Sequence, residues 1–235
     1  EDLTTNRREF ERVAGVAGGL EAGVKKAKEW GVDTAPVESI LAKGRSLLAK
    51  GSYVAAEDEL KKGAASLDAV QAEFMSERLN DAEESVKDAD VHGLKALKAA
   101  DAVREADRLF RARDYPEMLK RLELAGKELE SAKREHADVG KAIDEAEERI
   151  GGAEKLGAEV AKASEVLARA READAAGDYA GARERIREAG SAVEAAERAL
   201  LHDMIAGTSA VVEEGDTMGA DTKSARKSLT DAKKS

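Results

Sequence analysis

Three histidines and several acidic clusters are the residues here whose types suggest chemistry. His136 stands beside Glu135 and close to Asp138, an arrangement that invites a metal-ligand reading. A di-iron centre built on helices needs Glu-x-x-His pairs. The residue three before His136 is Lys133, and three before His202 stands Ala199, so neither makes that pair. His136 is expected instead as a core or partly exposed histidine satisfied by its neighbours. His92 directly precedes Gly93 and reads as the end of a helix, where a cation suits the dipole.

Phosphate chemistry has one candidate, "GGLEAGVKK" from Gly18 to Lys26. A Walker A loop needs Gly-Lys-Ser/Thr directly after a strand. Here Val24 follows the last glycine and no hydroxyl follows the lysines, so small-residue helix packing is the better account. The runs "DEAEER" (Asp144 to Arg149) and "DAEES" (Asp81 to Ser85) carry carboxylates. Acid–base work needs a cleft that moves pKa values, and calcium loops need glycine-punctuated oxygen ligands. With basic residues three or four positions away, these runs read as ion-paired helix faces. The chain has no cysteine, which removes disulfides, thiolate zinc sites and cysteine nucleophiles together. The expectation is of no catalytic, cofactor-binding or metal-binding residue, and of no cofactor.

The elements that carry these residues are helices. Charged residues make up 37% of the 235, aromatics 3%, and there are two prolines, a mix that favours long helices over strands. The 42% of hydrophobic residues recur at helical spacing, which separates the chain from disordered sequences. A net charge of −10 argues against nucleic acid as a partner, since phosphate neutralisation needs clustered cations. No apolar run approaches the ~20 residues that cross a membrane, so no membrane insertion is expected within this segment.

The three tyrosines organise the chain. They stand in "AKGSYVAAEDEL", "RARDYPEMLKRL" and "AAGDYAGARERI", with Tyr53 and Tyr115 62 positions apart and Tyr115 and Tyr179 64 apart. Gly31, Gly93, Gly157 and Gly219 lead each segment at a matching offset. The division expected is three units, residues 31–92, 93–156 and 157–218. Residues 1–30 match the end of an earlier unit and 219–235 the start of a further one, so the chain reads as a piece of a longer array. Each unit is expected to open with a short helix, at 35–49, 97–111 and 161–175. In the first, Val37, Ile40, Leu41, Leu47 and Leu48 form one apolar stripe.

A turn follows. Gly51 and Gly177 suit the left-handed position that ends a helix, while Ser52, Asp114 and Asp178 suit the N-cap of the next. Pro116 and Glu117 add a first-turn proline and a capping-box partner. Arg113 replaces the glycine, which predicts a less sharply specified helix end there. Gly51, Ser52, Tyr53, Asp114, Tyr115, Gly177, Asp178 and Tyr179 are thus assigned as structural turn residues, the tyrosines wedging the two helices. Trp30, the only tryptophan, is expected at an interface between units.

The long second helix shows a heptad seam: Met118, Leu122, Ala125, Leu129, Ala132, His136, Val139, Ile143, Ala146 and Ile150. A helix from about 53 to 90 is ~57 Å long, more than the short helix can cover. Either its remainder packs on a neighbouring unit, or it breaks near Asn80, Gly140 and Gly207 into a third helix. The breakers tip the reading towards a kink or break.

The turn resembles that of the tetratricopeptide repeat, on Gly177, Tyr179, Ala182, Ile186 and Ala189, and in part on Gly51, Tyr53, Ala56 and Leu60. The likeness covers a minority of each unit, and the period is nearly twice the family's ~34 residues. Whole-unit shape is similar to spectrin-like three-helix repeats. These resemblances imply a protein-interaction or spacer role, with no catalytic residue to carry over.

The fold expected is therefore all-α: an elongated tandem array of units of 62–64 residues, each a short helix, a Gly-x-Tyr or Asp-Tyr turn and a long helix. The function expected is a non-enzymatic spacer or protein-interaction scaffold. Its partners would be other proteins or flanking domains of the same polypeptide. The alternative is a coiled-coil module that pairs copies of the chain through the long-helix seam, and homo-oligomerisation is compatible with either reading.

Overall fold

The computed structural model describes residues 3–232, and among them it contains eight helices and no strand. They are α1 (Leu3–Glu29), α2 (Ala35–Ala49), α3 (Tyr53–Val91), α4 (Leu97–Arg111), α5 (Tyr115–Lys155), α6 (Ala161–Ala175), α7 (Tyr179–Thr217) and α8 (Lys223–Ala232). Short helices of 15 residues (α2, α4, α6) alternate with long ones of 39, 41 and 39 (α3, α5, α7). The architecture is a tandem array of short-helix, turn, long-helix units.

One rule ends each of the first seven helices. A residue with positive φ stands two positions beyond the helix: Gly31, Gly51, Gly93, Arg113, Gly157, Gly177 and Gly219. The residue after it returns its N–H to the carbonyl five positions back, as Ser52 does to Leu47 at 3.0 Å and Asp178 to Ala173 at 2.8 Å. This bond satisfies a carbonyl that the helix leaves orphaned. Arg113 corrects the sequence expectation. It adopts φ 58° itself, and Asp114 N–H reaches the Leu109 carbonyl at 2.9 Å, so this helix end is as well defined as the others.

The long helices run unbroken through Asn80, Gly140 and Gly207, correcting the expected break into a third helix. In α5 the seam explains why. Val139 and Ile143, on either side of Gly140, are both buried, and the other seam positions are buried or half-buried. A single helical glycine costs about 1 kcal/mol relative to alanine, far less than the packing that a break would undo.

The fold divides into two compact units. One holds the described residues up to Ser85 together with Ala100–Ala125; the other holds Val86–Ala99 and the described residues from Gly126 onward. In the first, α1 packs on α2. Its core takes Val13, Ala17, Leu20, Val24 and Ala27 from α1, Val37, Leu41 and Leu48 from α2, and Ala56, Leu60 and Leu67 from α3. Steps of four and three in α1, and of four and seven in α2 and α3, are those of knobs-into-holes packing. Ile40 and Leu47 of the expected α2 stripe are half-buried at its edge.

Glycines supply three of the holes. A Cβ at Gly44 would stand 2.8 Å from Leu60 Cγ, one at Gly63 2.7 Å from Leu20 Cδ2, and one at Gly23 2.8 Å from Leu67 Cδ2. In the second unit α7 packs on α6 and then on α8, so a long helix lies first against its own short helix and then against the next.

Candidate functional site

The turns that carry the tyrosines are the places where distant parts of the sequence meet within each unit. Tyr179 opens α7 and is buried, its hydroxyl donating to the Lys95 carbonyl at 3.3 Å. Gly177, at φ 78°, lies so close to the same loop that a Cβ on it would be 2.9 Å from the Lys95 oxygen. Asp178 caps α7, its carboxylate accepting from Gly181 N–H at 2.9 Å. Around them Lys95, Lys98, Glu128 and Glu135 line a recess of about 260 Å³.

Tyr115 holds the corresponding place in the first unit. It is buried, edge-on to Trp30 with ring centroids 6.2 Å apart and tilted against Phe110 at 6.3 Å. Asp114 accepts from Glu117 N–H at 3.4 Å. The Glu117 carboxylate turns outward to Lys120 at 2.8 Å, which holds it below the usual carboxylate range. Tyr53 follows Gly51 and Ser52 in the same local geometry, yet remains half-buried.

His136, the strongest chemical candidate, faces this assembly. Its Nδ1 is 2.9 Å from Asp174 Oδ1, and its ring lies 6.1 Å from that of Tyr179. Arg183 donates to Glu135 at 3.3 Å beside it. Burial raises the Tyr179 phenol above its ordinary value, and the negative charges of Asp174 and Glu135 raise it further. No group of three or more His, Asp or Glu side chains able to hold a metal ion occurs among the described residues.

The remaining candidates fall on helix faces. His92 Nδ1–H donates to the Asp88 carbonyl at 2.7 Å, and His202 is exposed beside Asp203. From "DEAEER", Glu145 faces Lys141 at 3.6 Å, Glu147 pairs with Arg171, and Arg149 reaches Glu194 at 3.3 Å. In "DAEES" the Ser85 hydroxyl donates to the Asp81 carbonyl. "GGLEAGVKK" lies inside α1, where Gly23 receives Leu67 and Lys26 rests over the Trp30 ring at 5.3 Å.

One charge cluster has a marked electrostatic consequence. Arg12 donates to Glu57 at 2.7 Å and Lys61 approaches the same carboxylate at 3.0 Å, holding Glu57 down at about 2. Arg12 also contacts Glu9, and these hydrogen bonds raise its guanidinium above the ordinary value.

Sequence reasoning passed over Gly44 and Gly63 as sockets, and Thr34, buried at the start of α2 with its hydroxyl on Glu38 at 3.2 Å, whereas Gly23 falls in the stretch read as small-residue helix packing. The signal for the sockets was present. Gly44 completes the series Val37, Leu41, Leu48, and Gly63 completes Ala56, Leu60, Leu67. Among the described residues no helix is long and apolar enough to cross a membrane. Compared with known proteins, the chain matches no family model, no curated protein and no solved structure.

Proposed function

We propose that this chain is a non-enzymatic helical-repeat segment that acts as a structural spacer or protein-interaction scaffold. The observation that carries the reading is the use made of the tyrosine turns. Tyr115 and Tyr179, the most distinctive residues of the repeated pattern, are spent on seating one helix–turn–helix against an earlier loop, at Trp30 and at Lys95. A neighbour-by-neighbour contact of this kind transmits position along an array and leaves helix faces free for partners. The likeness of the turns to tetratricopeptide repeats, and of the long helices to spectrin-like repeats, supports the same reading.

The coiled-coil alternative needs a free seam. Met118, Leu129, Val139, Ile143 and Ile150 are instead buried within one chain, which favours the scaffold. Sedimentation over a wide concentration range tests the choice. A monomer throughout is expected, and a dimer whose formation buries α5 would overturn the proposal in favour of the coiled coil.

A further inference from the structure

The two buried tyrosines sit in seats built from matching chain positions but from different chemistry. Tyr115 stands five residues after Phe110, and Tyr179 five after Asp174. Phe74 stands 21 residues after Tyr53 on α3, and His136 stands 21 after Tyr115 on α5. In the first unit these positions are aromatic. Phe110 lies against Tyr115, Trp30 meets it edge-on, and a Cβ at Gly31 would be 3.7 Å from the Phe74 ring. In the second unit the same two positions hold an imidazole and a carboxylate that bind each other. His136 Nδ1 is 2.9 Å from Asp174 Oδ1, and the Tyr179 ring centroid is 6.1 Å from that of the imidazole.

The pair thus ties α5 to the end of α6, beside the residue that opens α7. The Asp174 side chain is 14% exposed, so water serves its charge poorly and the charge needs a partner within the fold. Neighbouring charges are engaged elsewhere. Glu135, next to His136 on α5, receives Arg183 of α7, and Lys133 of α5 pairs with Glu130. In the α3–α4 loop Lys95 gives its carbonyl to the Tyr179 hydroxyl and its ammonium to Asp90. Asp178 caps α7, and with Lys98 and Glu128 it lines the recess onto which Tyr179 opens. The Asp174 charge is therefore met through His136. An imidazole changes charge between about pH 5 and 8. Protonated, it sets a full positive charge opposite the carboxylate; neutral, it leaves that carboxylate a hydrogen bond without a counter-charge.

We propose that His136 and Asp174 form a proton-operated clasp on the second tyrosine seat. Protonation of His136 tightens the α6–α7 turn onto the α3–α4 loop at Lys95, and loss of that proton loosens it. A histidine that gains a counter-charge on folding stabilises the fold at acidic pH, and does so less as pH rises. The first seat, made by Trp30, Phe74, Phe110 and Tyr115, contains no histidine and holds equally across the same range. One chain thus carries a fixed seat and an adjustable one, whether it serves as a spacer or as a scaffold.

The test is hydrogen exchange on the full chain at about pH 5.5 and about pH 8, on either side of the histidine range, with protection corrected for each amide's intrinsic rate. Protection at residues 94–97 and 178–182 should fall by about two- to fivefold between the two, the reach of a partly exposed ion pair. Protection at residues 30–34 and 113–118 should stay level. His136→Gln keeps a donor for Asp174 without a titrating charge, and Asp174→Asn keeps a polar partner without the carboxylate charge. Either should level the second seat across pH. His92→Gln is the control, because His92 lies in the same loop on the Asp88 carbonyl; the pH dependence should survive it. Should a variant lose its helices by circular dichroism, the contrast between the two seats of the parent chain still decides. The clasp is overturned by level protection at the second seat of the parent, or by an equal fall at both seats. A fall that persists in His136→Gln, or one that disappears in His92→Gln, overturns it as well.

Discussion

Tyr179 and Tyr53 open helices of equal length, each two residues after a left-handed glycine, at φ 78° for Gly177 and 77° for Gly51. Locally the two turns are the same object. Their surroundings differ: Tyr179 is buried under the Lys95 carbonyl, and a Cβ at Gly177 would collide with Lys95, while Tyr53 is half-buried and Gly51 has nothing within 4 Å. The turn is therefore dictated by its own few residues, but its contribution to stability comes from the loop it meets.

The largest effect expected follows from that difference. Tyr179→Ala removes a buried ring and its hydrogen bond and should cost about 3–4 kcal/mol. Tyr53→Ala, which removes a ring already partly hydrated, should cost about 1 kcal/mol. Chemical denaturation followed by circular dichroism measures both. Equal losses would mean that the local turn, and not the Lys95 seat, is what the tyrosine stabilises.

Glycine sharpens the comparison from the backbone side. Gly51→Ala pays only for placing a side chain in the left-handed region, about 1–2 kcal/mol. Gly177→Ala pays that and must also push the Lys95 loop away, so a loss of about 2–4 kcal/mol is expected. Hydrogen exchange at residues 92–97 should rise in Gly177→Ala and stay unchanged in Gly51→Ala. Unchanged exchange in both would show that Gly177 and Lys95 are not in contact.

Much of this fold is legible in the sequence. The bounds of α2, α4 and α6 follow from apolar spacing and, except after α4 where Arg113 stands, from the glycine just beyond each helix, because a left-handed residue is a local requirement. The seam of α5 is legible for the same reason. What could not be read is anything decided by a competition between distant residues. Gly140 looked like a break and is not one, because Val139 and Ile143 are held by packing stronger than one glycine's penalty. Gly44 and Gly63 drew no reading from the sequence and are sockets for Leu60 and Leu20. The seat of Tyr179 at Lys95 lies 84 residues back in the chain, and no local pattern points to it.

Titration probes the Tyr179 seat without altering its shape. Burial, then Asp174 and Glu135, raise the Tyr179 phenol, so the folded chain keeps this proton at a pH where the unfolded chain, at about 10, has begun to lose it. The associated stability is full below the unfolded value and is lost as pH rises through the folded one. Tyr179→Phe should therefore show a flatter alkaline limb than the parent chain. Glu57 gives the opposite limb: held at about 2 by Arg12 and Lys61, it contributes stability above about 4.5 that disappears as pH falls towards 2. Glu57→Gln should flatten the acid limb; identical limbs in parent and variant would show that the Arg12 contact does not persist in solution.

The smallest expected effect comes from the third turn, where Arg113 does the work of Gly177 and Gly51 at φ 58°. A side chain in that region costs about 1–2 kcal/mol, which Arg113→Gly relieves. Two terms oppose the gain. Glycine gives the unfolded chain more freedom, at about 0.4–1 kcal/mol, and the Arg113–Asp68 contact is lost. That contact is 3.7 Å long between side chains roughly two-thirds exposed, so screening leaves it worth little. A net gain of about 0.5 kcal/mol is expected, read as a melting temperature higher by ~1–2 °C. Arg113→Ala separates the terms, since it discards the ion pair but keeps the strained backbone. If Ala and Gly at this position melt alike, the left-handed geometry costs nothing here, and the end of α4 would rest on Asp114 and Tyr115 alone.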